Sequence, residues 1–456
     1  MVDEQTIIES EVADNRLAVM LQNYLEKDKS RIRLKNLRLC GSRVIHHEHW
    51  VPSVFVMYNG KNAHLFGNTF CHNPWACPRC SPQIMAKYGN RIACAIDALQ
   101  KWHNQVAIMI TFTLPHIKSM SANDAFTILR NTWHAFVKGG MQKGRIRHYT
   151  TKKTGEHKIY RVGDNAYGKF REELGIQHNV RVYEFTYGEE FGWHPHIHAL
   201  YWVPRKNLNK VLDYEQQLMD LWWNHAKNQA AKFFKKSYPY SPDKVKEIID
   251  SIYHDRKKQT KDHKTLYISL DKNGKPRIQK SSHYIAGWNA NAEMTSRGKT
   301  ANNGHMTPRQ ILEKAHDEPE HRDELLKLYV EYANAVRNHK RFQFSKTGMN
   351  ELINKWKLTE AYYETLKKKA MDAGTEPFRI IVWFTEKQWL EIYTLNKTHH
   401  LIPKILAMAH RPNGKELIER LLLEFNIDIT KNDKHPFKSF IEKCLFGRKH
   451  SDENAA

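Results

Sequence analysis

No segment of this chain reaches the roughly 18 consecutive apolar residues that a membrane-spanning helix needs, so no membrane partner is expected. Cysteine is scarce, at six in 456 residues, which is too few for a disulfide framework; the thiols are expected to stay reduced and any cluster of them points to metal. The first residues, Met1-Val2-Asp3-Glu4-Gln5, lack the basic-then-apolar plan of a signal peptide, and a cytoplasmic location is expected. Internal repeats and low-complexity tracts are also missing. Acidic side chains are in deficit, 49 against 72 Lys and Arg, a formal charge of +23 with the 27 histidines counted as neutral. That balance attracts polyanions. Trp, Tyr and Phe make up 11% of the chain and give bases a stacking surface beside the cations, so nucleic acid is the expected partner. The length allows two or three separate cores.

The stretch hardest to explain as packing is Trp193-His194-Pro195-His196-Ile197-His198-Ala199-Leu200-Tyr201-Trp202. Histidines at every second position of an apolar run predict a strand, because successive side chains alternate between its faces; Ile197, Ala199 and Tyr201 then share the buried one. His196 and His198 project from the other, about 6.6 to 7 Å apart at Cα, a spacing that lets two imidazoles close on one cation. His194 precedes proline and either joins them or caps the strand. Upstream, Val180 to Tyr187 is also strand-like, and Gly188-Glu189-Glu190-Phe191-Gly192 can return the chain as a hairpin. With the turn centred on residue 190 or 191, Glu184 sits opposite His196 or His198. One carboxylate and two imidazoles suit Mn²⁺ or Mg²⁺ in a hydrolytic or transesterifying enzyme.

A second group of ligand types precedes it in Cys71-His72-Asn73-Pro74-Trp75-Ala76-Cys77-Pro78-Arg79-Cys80. A C-x₂-C knuckle after a hairpin, with another cysteine six residues earlier, is an arrangement that ties down a loop-rich unit with zinc. Cys77, Cys80 and Cys71 are three ligands; Cys40 is the choice for the fourth, with His72, His46, His47 and His49 as rivals. Cys94 and Cys444 are expected to be buried thiols.

Around these groups the pattern predicts a hairpin over 51–66 turning at Asn59-Gly60, and a helix capped by Ser81 with Pro82 in its first turn. Then come a central strand over 106–114, a helix over about 125–137, a basic glycine-containing loop over 138–148 and an amphipathic helix from Leu208 to Trp222. A lysine-rich region follows to about residue 265, and a hairpin turns at Asn273-Gly274. Beyond about residue 320 the pattern is mostly helical, with one strand over 378–384 and a capping box at Thr385 and Gln388.

His196-Ile197-His198 within Gly192 to Leu200 resembles the histidine-hydrophobe-histidine motif of HUH endonucleases, specifically the plasmid rolling-circle replication initiators. Other stretches match in the order those initiators use. Trp75 to Ser81 resembles their cysteine-rich segment and Ile110-Thr111-Phe112-Thr113-Leu114 their first motif. Tyr284-Ile285-Ala286-Gly287-Trp288, followed by Glu293 and later Thr307-Pro308, is similar to their tyrosine motif. The resemblance covers about residues 35 to 350. It implies that Tyr284 attacks a phosphodiester of single-stranded DNA at an origin, leaving a 5′-phosphotyrosyl enzyme and a free 3′-OH. It also implies that His196, His198 and Glu184 hold Mn²⁺ or Mg²⁺, that Glu293 activates water or a hydroxyl in termination, and that host helicase and polymerase are partners in a bacterial cytoplasm. Two departures stand out: Gly287 replaces a lysine that many members carry, and Trp288 occupies the place of a second tyrosine, which favours a single-tyrosine mechanism.

The expected architecture is α+β: a mainly antiparallel sheet with flanking helices (the HUH nuclease fold) over 104–300, a zinc-bound segment over 31–103, an N-terminal lead over 1–30 and a helical region over 301–456. Three other readings share some of these residues. A single-strand transposase has the same parts, a histidine-triad nucleotide hydrolase uses alternating histidines without metal, and a binding-only protein has lost catalysis.

Overall fold

The computed structural model describes residues 4–27, 34–46, 52–58, 63–138, 146–150, 157–161, 166–253, 265–279, 304–344 and 379–433. Tyr284, Glu293, Gly287, Trp288 and Cys444 lie outside them, as does the Cys94 side chain. The chain divides into two compact units, one made of 1–83, 316–319 and 363–456, the other of 84–315 and 320–362. The C-terminal segment therefore shares a unit with the cysteine-bearing N-terminal segment, where the sequence had suggested separate regions.

In the first unit, α1 (Glu4–Lys27) and the short α2 (Lys35–Arg38) precede strands β1 (Ser53–Tyr58) and β2 (Ala63–Phe66). β1 is the middle of a three-stranded antiparallel sheet, with β2 on one side and the strand Arg379–Thr385 on the other. Every residue of β1 is buried. Its Val54 and Val56 pack with Phe384, Trp389, Ile392, Leu401, Ile405 and Leu422, side chains of the strand Arg379–Thr385 and of the three helices that follow it. Phe55 and Met57 face the other way, against Phe66 and Trp383. The helix Glu386–His399 begins with the capping box read from the sequence: Thr385 Oγ1 accepts from the Gln388 amide, and the Gln388 side chain accepts from the Thr385 amide.

The second unit starts within α3 (Cys80–His103). Its sheet runs β10 (Phe342–Phe344), β6 (Asn179–Gly188), β7 (Gly192–Pro204), β3 (Gln105–Thr113), β8 (Leu266–Ile268), with β9 (His305–Met306) on the far end of β6, and every pairing is antiparallel. One face carries Ile108, Ile110, Phe112, Tyr183, Phe185, Ile197 and Tyr201 and is sealed by α4 (Ala122–Lys138) and α6 (Glu215–Ser237). Phe112 meets Trp133, Phe136 and Trp222 with ring centroids 4.9 to 5.3 Å apart. Each such aromatic buries enough apolar surface to contribute about 1.5 to 3 kcal/mol. The opposite face is covered only in part: Ala107, Val180, Val182, Leu200 and Trp202 pack beneath Ile92, Ala95, Ile96 and Leu99 of α3.

Local structure departs from the sequence reading in two places. α3 begins at Cys80, one residue before the Ser81 expected to cap it, and the Ser81 hydroxyl donates to the Pro74 carbonyl. The amphipathic segment after β7 is a 3₁₀ helix over Arg205–Tyr214 before α6 starts at Glu215.

Candidate metal centre

The β6–β7 hairpin puts Gly188 opposite Gly192, so the turn is Glu189-Glu190-Phe191 and Glu184 lies directly across from His196. Gly192 has φ +78°, and a Cβ there would stand 2.8 Å from the Lys118 carbonyl oxygen; only glycine fits both demands. His198, two residues on from His196, shares its face and lies opposite Thr111 of β3. Both imidazoles converge on one oxygen: Glu184 Oε2 is 3.2 Å from His196 Nε2 and 3.2 Å from His198 Nε2. Burial alone pushes the Glu184 carboxyl up, yet the charge and hydrogen bonds of His198 and His196 hold it well below the usual carboxylate range. The three side chains sit on the stretch of the sheet face next to the part under α3 and are 13 to 18% exposed among the described residues.

The donor set fits a hard or borderline divalent cation. Two imidazole nitrogens and a carboxylate, with ligand atoms within 4.8 Å of one another, match the mixed N/O chemistry of such ions. Cis ligands on octahedral arms of about 2.1 Å stand about 3 Å apart. Glu184 Oε1 is buried and has no hydrogen-bond partner among the described residues. The second nitrogens are oriented as well: His198 Nδ1 lies 2.9 Å from Thr111 Oγ1, and His196 Nδ1 lies 3.4 Å from the His194 carbonyl. Such partners fix tautomer and ring plane. Thr111 is a residue that spacing within the histidine strand could not supply, since β3 is contributed from some ninety residues earlier.

His194, whose ring lies 5.5 Å from that of His196, is not one of the three converging ligand residues and joins a cluster of imidazoles. Its ring stacks on His116 at 4.9 Å and lies 6.4 Å from that of His305, which β9 brings beside Gly188. Burial first, then the neighbouring His196, His116 and His305, pushes His194 well below the ordinary histidine value, so its ring is neutral at pH 7, and burial lowers His116 as well.

In the first unit, Cys40, Cys71, Cys77 and Cys80 come together with all sulfurs within 4.8 Å of one another. Cys40 Sγ is 3.5 Å from Cys80 Sγ and 3.5 Å from Cys77 Sγ, and Cys71 Sγ is 3.7 Å from Cys80 Sγ. A tetrahedron with arms of about 2.3 Å has edges of about 3.8 Å, so the cluster has the dimensions of a closed Zn–S₄ site. The amides of Cys71 and Cys80 donate to Cys40 Sγ and Cys77 Sγ, and Asn73 Oδ1 accepts from the amides of Trp75 and Ala76, which sets the knuckle's turn. The Cys40 carbonyl is held by Arg79, Gln22 and Tyr393, and Arg79 in turn donates to Asn15. The N-terminal lead thus buttresses the cysteines. His72 is exposed and His46 pairs with Glu386, so neither joins the four sulfurs; His47 and His49 lie outside the described residues.

Two curated relatives place the chain among known proteins. It is 25% identical over 200 residues, 39% of this chain and 41% of that one, to a protein of Streptomyces lividans named Protein rep. It is 33% identical over 134 residues, 28% of this chain and 29% of that one, to a Streptomyces cyanogenus protein named Neomycin resistance protein. The chain spans about two fifths of the first relative and less of the second. No family profile and no solved structure matches it. These likenesses support a Rep-like relationship over part of the chain. Among the described residues, no helix is long and apolar enough to cross a membrane.

Proposed function

We propose that this chain is a replication initiator that nicks and rejoins single-stranded DNA through a 5′-phosphotyrosyl intermediate, on an HUH nuclease fold. The observation that carries this reading is the convergence of His196 and His198 on a single oxygen of Glu184, on an accessible stretch of a basic protein's central sheet. The name of the Streptomyces lividans relative agrees with it.

Glu184, His196 and His198 would hold Mn²⁺ or Mg²⁺, which supplies Lewis-acid polarisation of the scissile phosphodiester when bound. With the cation on Nε2, His198 would carry its proton on Nδ1, 2.9 Å from Thr111 Oγ1, which would accept it. Tyr284, the tyrosine of the YIAGW motif, attacks phosphorus; the tyrosyl O–P bond forms as the P–O3′ bond breaks, and the phosphotyrosine conserves the bond energy for rejoining. Glu293 serves the terminating attack by water or a hydroxyl. The four cysteines hold Zn²⁺ as a structural ion, since the set is all thiolate and leaves no ligand position open. Origin DNA, and host helicase and polymerase, are the partners this activity requires.

The test is incubation of labelled single-stranded DNA carrying the origin with the protein and Mn²⁺, comparing wild type with Tyr284→Phe and His196→Ala. Covalent label on wild type alone is the expected result. Label on Tyr284→Phe moves the nucleophile to another residue, and label on His196→Ala removes the metal from the reaction.

A further inference from the structure

Thr111 is fully buried at 0% exposure in the middle of the sheet, a position where valine would fill the same space. A buried hydroxyl is destabilising unless it is hydrogen-bonded, so its partners show what it is for. β3 sets Thr111 opposite His198 on one side and opposite Tyr267 of β8 on the other, and residues directly opposite in antiparallel strands share a face. Tyr267 therefore stands on the face that carries Glu184, His196 and His198, two strand spacings or about 10 Å from His198 at Cα. His198 Nε2 lies 3.2 Å from Glu184 Oε2, its Nδ1 lies 2.9 Å from Thr111 Oγ1, and the Tyr267 phenol neighbours Thr111 on the other side. The three groups form one row across neighbouring strands, running outward from the metal group. At its end the Tyr267 phenol is 41% exposed, on the short strand that ends the sheet among the described residues.

We propose that Tyr267 contacts the nucleic acid, its phenol donating a hydrogen bond to a non-bridging oxygen of a phosphodiester lying before Glu184, His196 and His198. This rests on the DNA-nicking reading of the same site. Partial burial raises the Tyr267 phenol above its ordinary value, so it stays protonated at neutral pH and acts as a donor, a role distinct from that of an attacking tyrosine.

The experiment uses the full-length protein and a fluorescein-labelled single-stranded oligonucleotide of mixed sequence, with anisotropy titrations in Mn²⁺ and in chelator. The quantity read is the gain in DNA affinity that Mn²⁺ confers; Mn²⁺ affinity is measured separately by calorimetry without DNA. Tyr267→Phe, a substitution at an exposed edge that keeps the ring, is expected to lower the Mn²⁺-dependent gain about tenfold, the usual size of a hydrogen bond to a charged group, and to leave Mn²⁺ affinity within about twofold of wild type. Thr111→Val is expected to lower both. A gain unchanged in Tyr267→Phe overturns the proposal, and so does a loss of Mn²⁺ affinity in that variant, which would make Tyr267 a support of the metal group only. If wild type itself shows no Mn²⁺-dependent gain, the nicking reading fails and the proposal falls with it.

Discussion

The two ligand groups of this protein are built on the same device, a tight turn that brings residues close in sequence onto one point, and they end in opposite kinds of site. In the first unit, four thiols form a group with sulfur-to-sulfur distances of 3.5 to 3.7 Å, backed by a buried arginine network. Softness, closure and burial suit an ion that holds structure. In the second unit, one carboxylate and two imidazoles share a half-buried sheet face, and one carboxylate oxygen has no partner among the described residues. An incomplete, mixed set leaves room for substrate. Under the proposed function, ligand type and closure, more than proximity, separate a site that stabilises from one that reacts.

Substitutions can break this contrast at either end. The largest effect is expected from His198→Ala, which removes a ligand without touching the core: nicking falls at least a thousandfold, in line with the loss of several kcal/mol of charge stabilisation, while the melting temperature stays close to wild type in calorimetry. Next is Cys80→Ser, for which the reverse holds. Metal binding to such clusters is coupled to folding, so the first unit should lose about 3 kcal/mol or more and its bound zinc, measured by calorimetry and metal analysis, while Mn²⁺ binding at the second unit persists. Thr111→Val sharpens the comparison inside the second unit. Outer-shell partners of a ligating histidine are worth 10- to 100-fold, so Mn²⁺ affinity should drop by about that factor in a titration, with the fold intact. The smallest effect belongs to Thr385→Ala, which deletes the cap of the helix Glu386–His399 and should cost the first unit about 1 kcal/mol in denaturant unfolding with no change in nicking.

How much of this could be read from the chain follows from the range of each interaction. The β6–β7 hairpin was legible because Gly188 and Gly192 fix the turn and a turn fixes register, which brings Glu184 opposite His196. The cysteine knuckle and the Thr385 capping box are likewise short-range, as is the turn at Asn273-Gly274, where Gly274 has φ +72°. What stayed hidden depends on pairing between distant segments. The strand Arg379–Thr385 pairs with β1 from more than three hundred residues away, which is why the C-terminal segment was read as a separate region. Thr111 and Tyr267 reach the histidines through β3 and β8, and no periodicity within β7 announces them. Arg79 was read only as part of a cysteine-rich motif, and its bonds to Asn15 and to the Cys40 carbonyl emerge only once α1 is in place. The 3₁₀ geometry of Arg205–Tyr214 shows the same limit: its apolar spacing fits a helix, and the spacing cannot choose the helix type.

The central claim is that Glu184, His196 and His198 together hold one divalent cation. Titration of the zinc-loaded protein with Mn²⁺, followed by electron paramagnetic resonance, tests it without any substrate. The account predicts one bound Mn²⁺ per wild-type chain, lost in His196→Ala, His198→Ala and Glu184→Ala and retained in Tyr284→Phe. Wild-type Mn²⁺ binding that persists unchanged in all three alanine variants would contradict it.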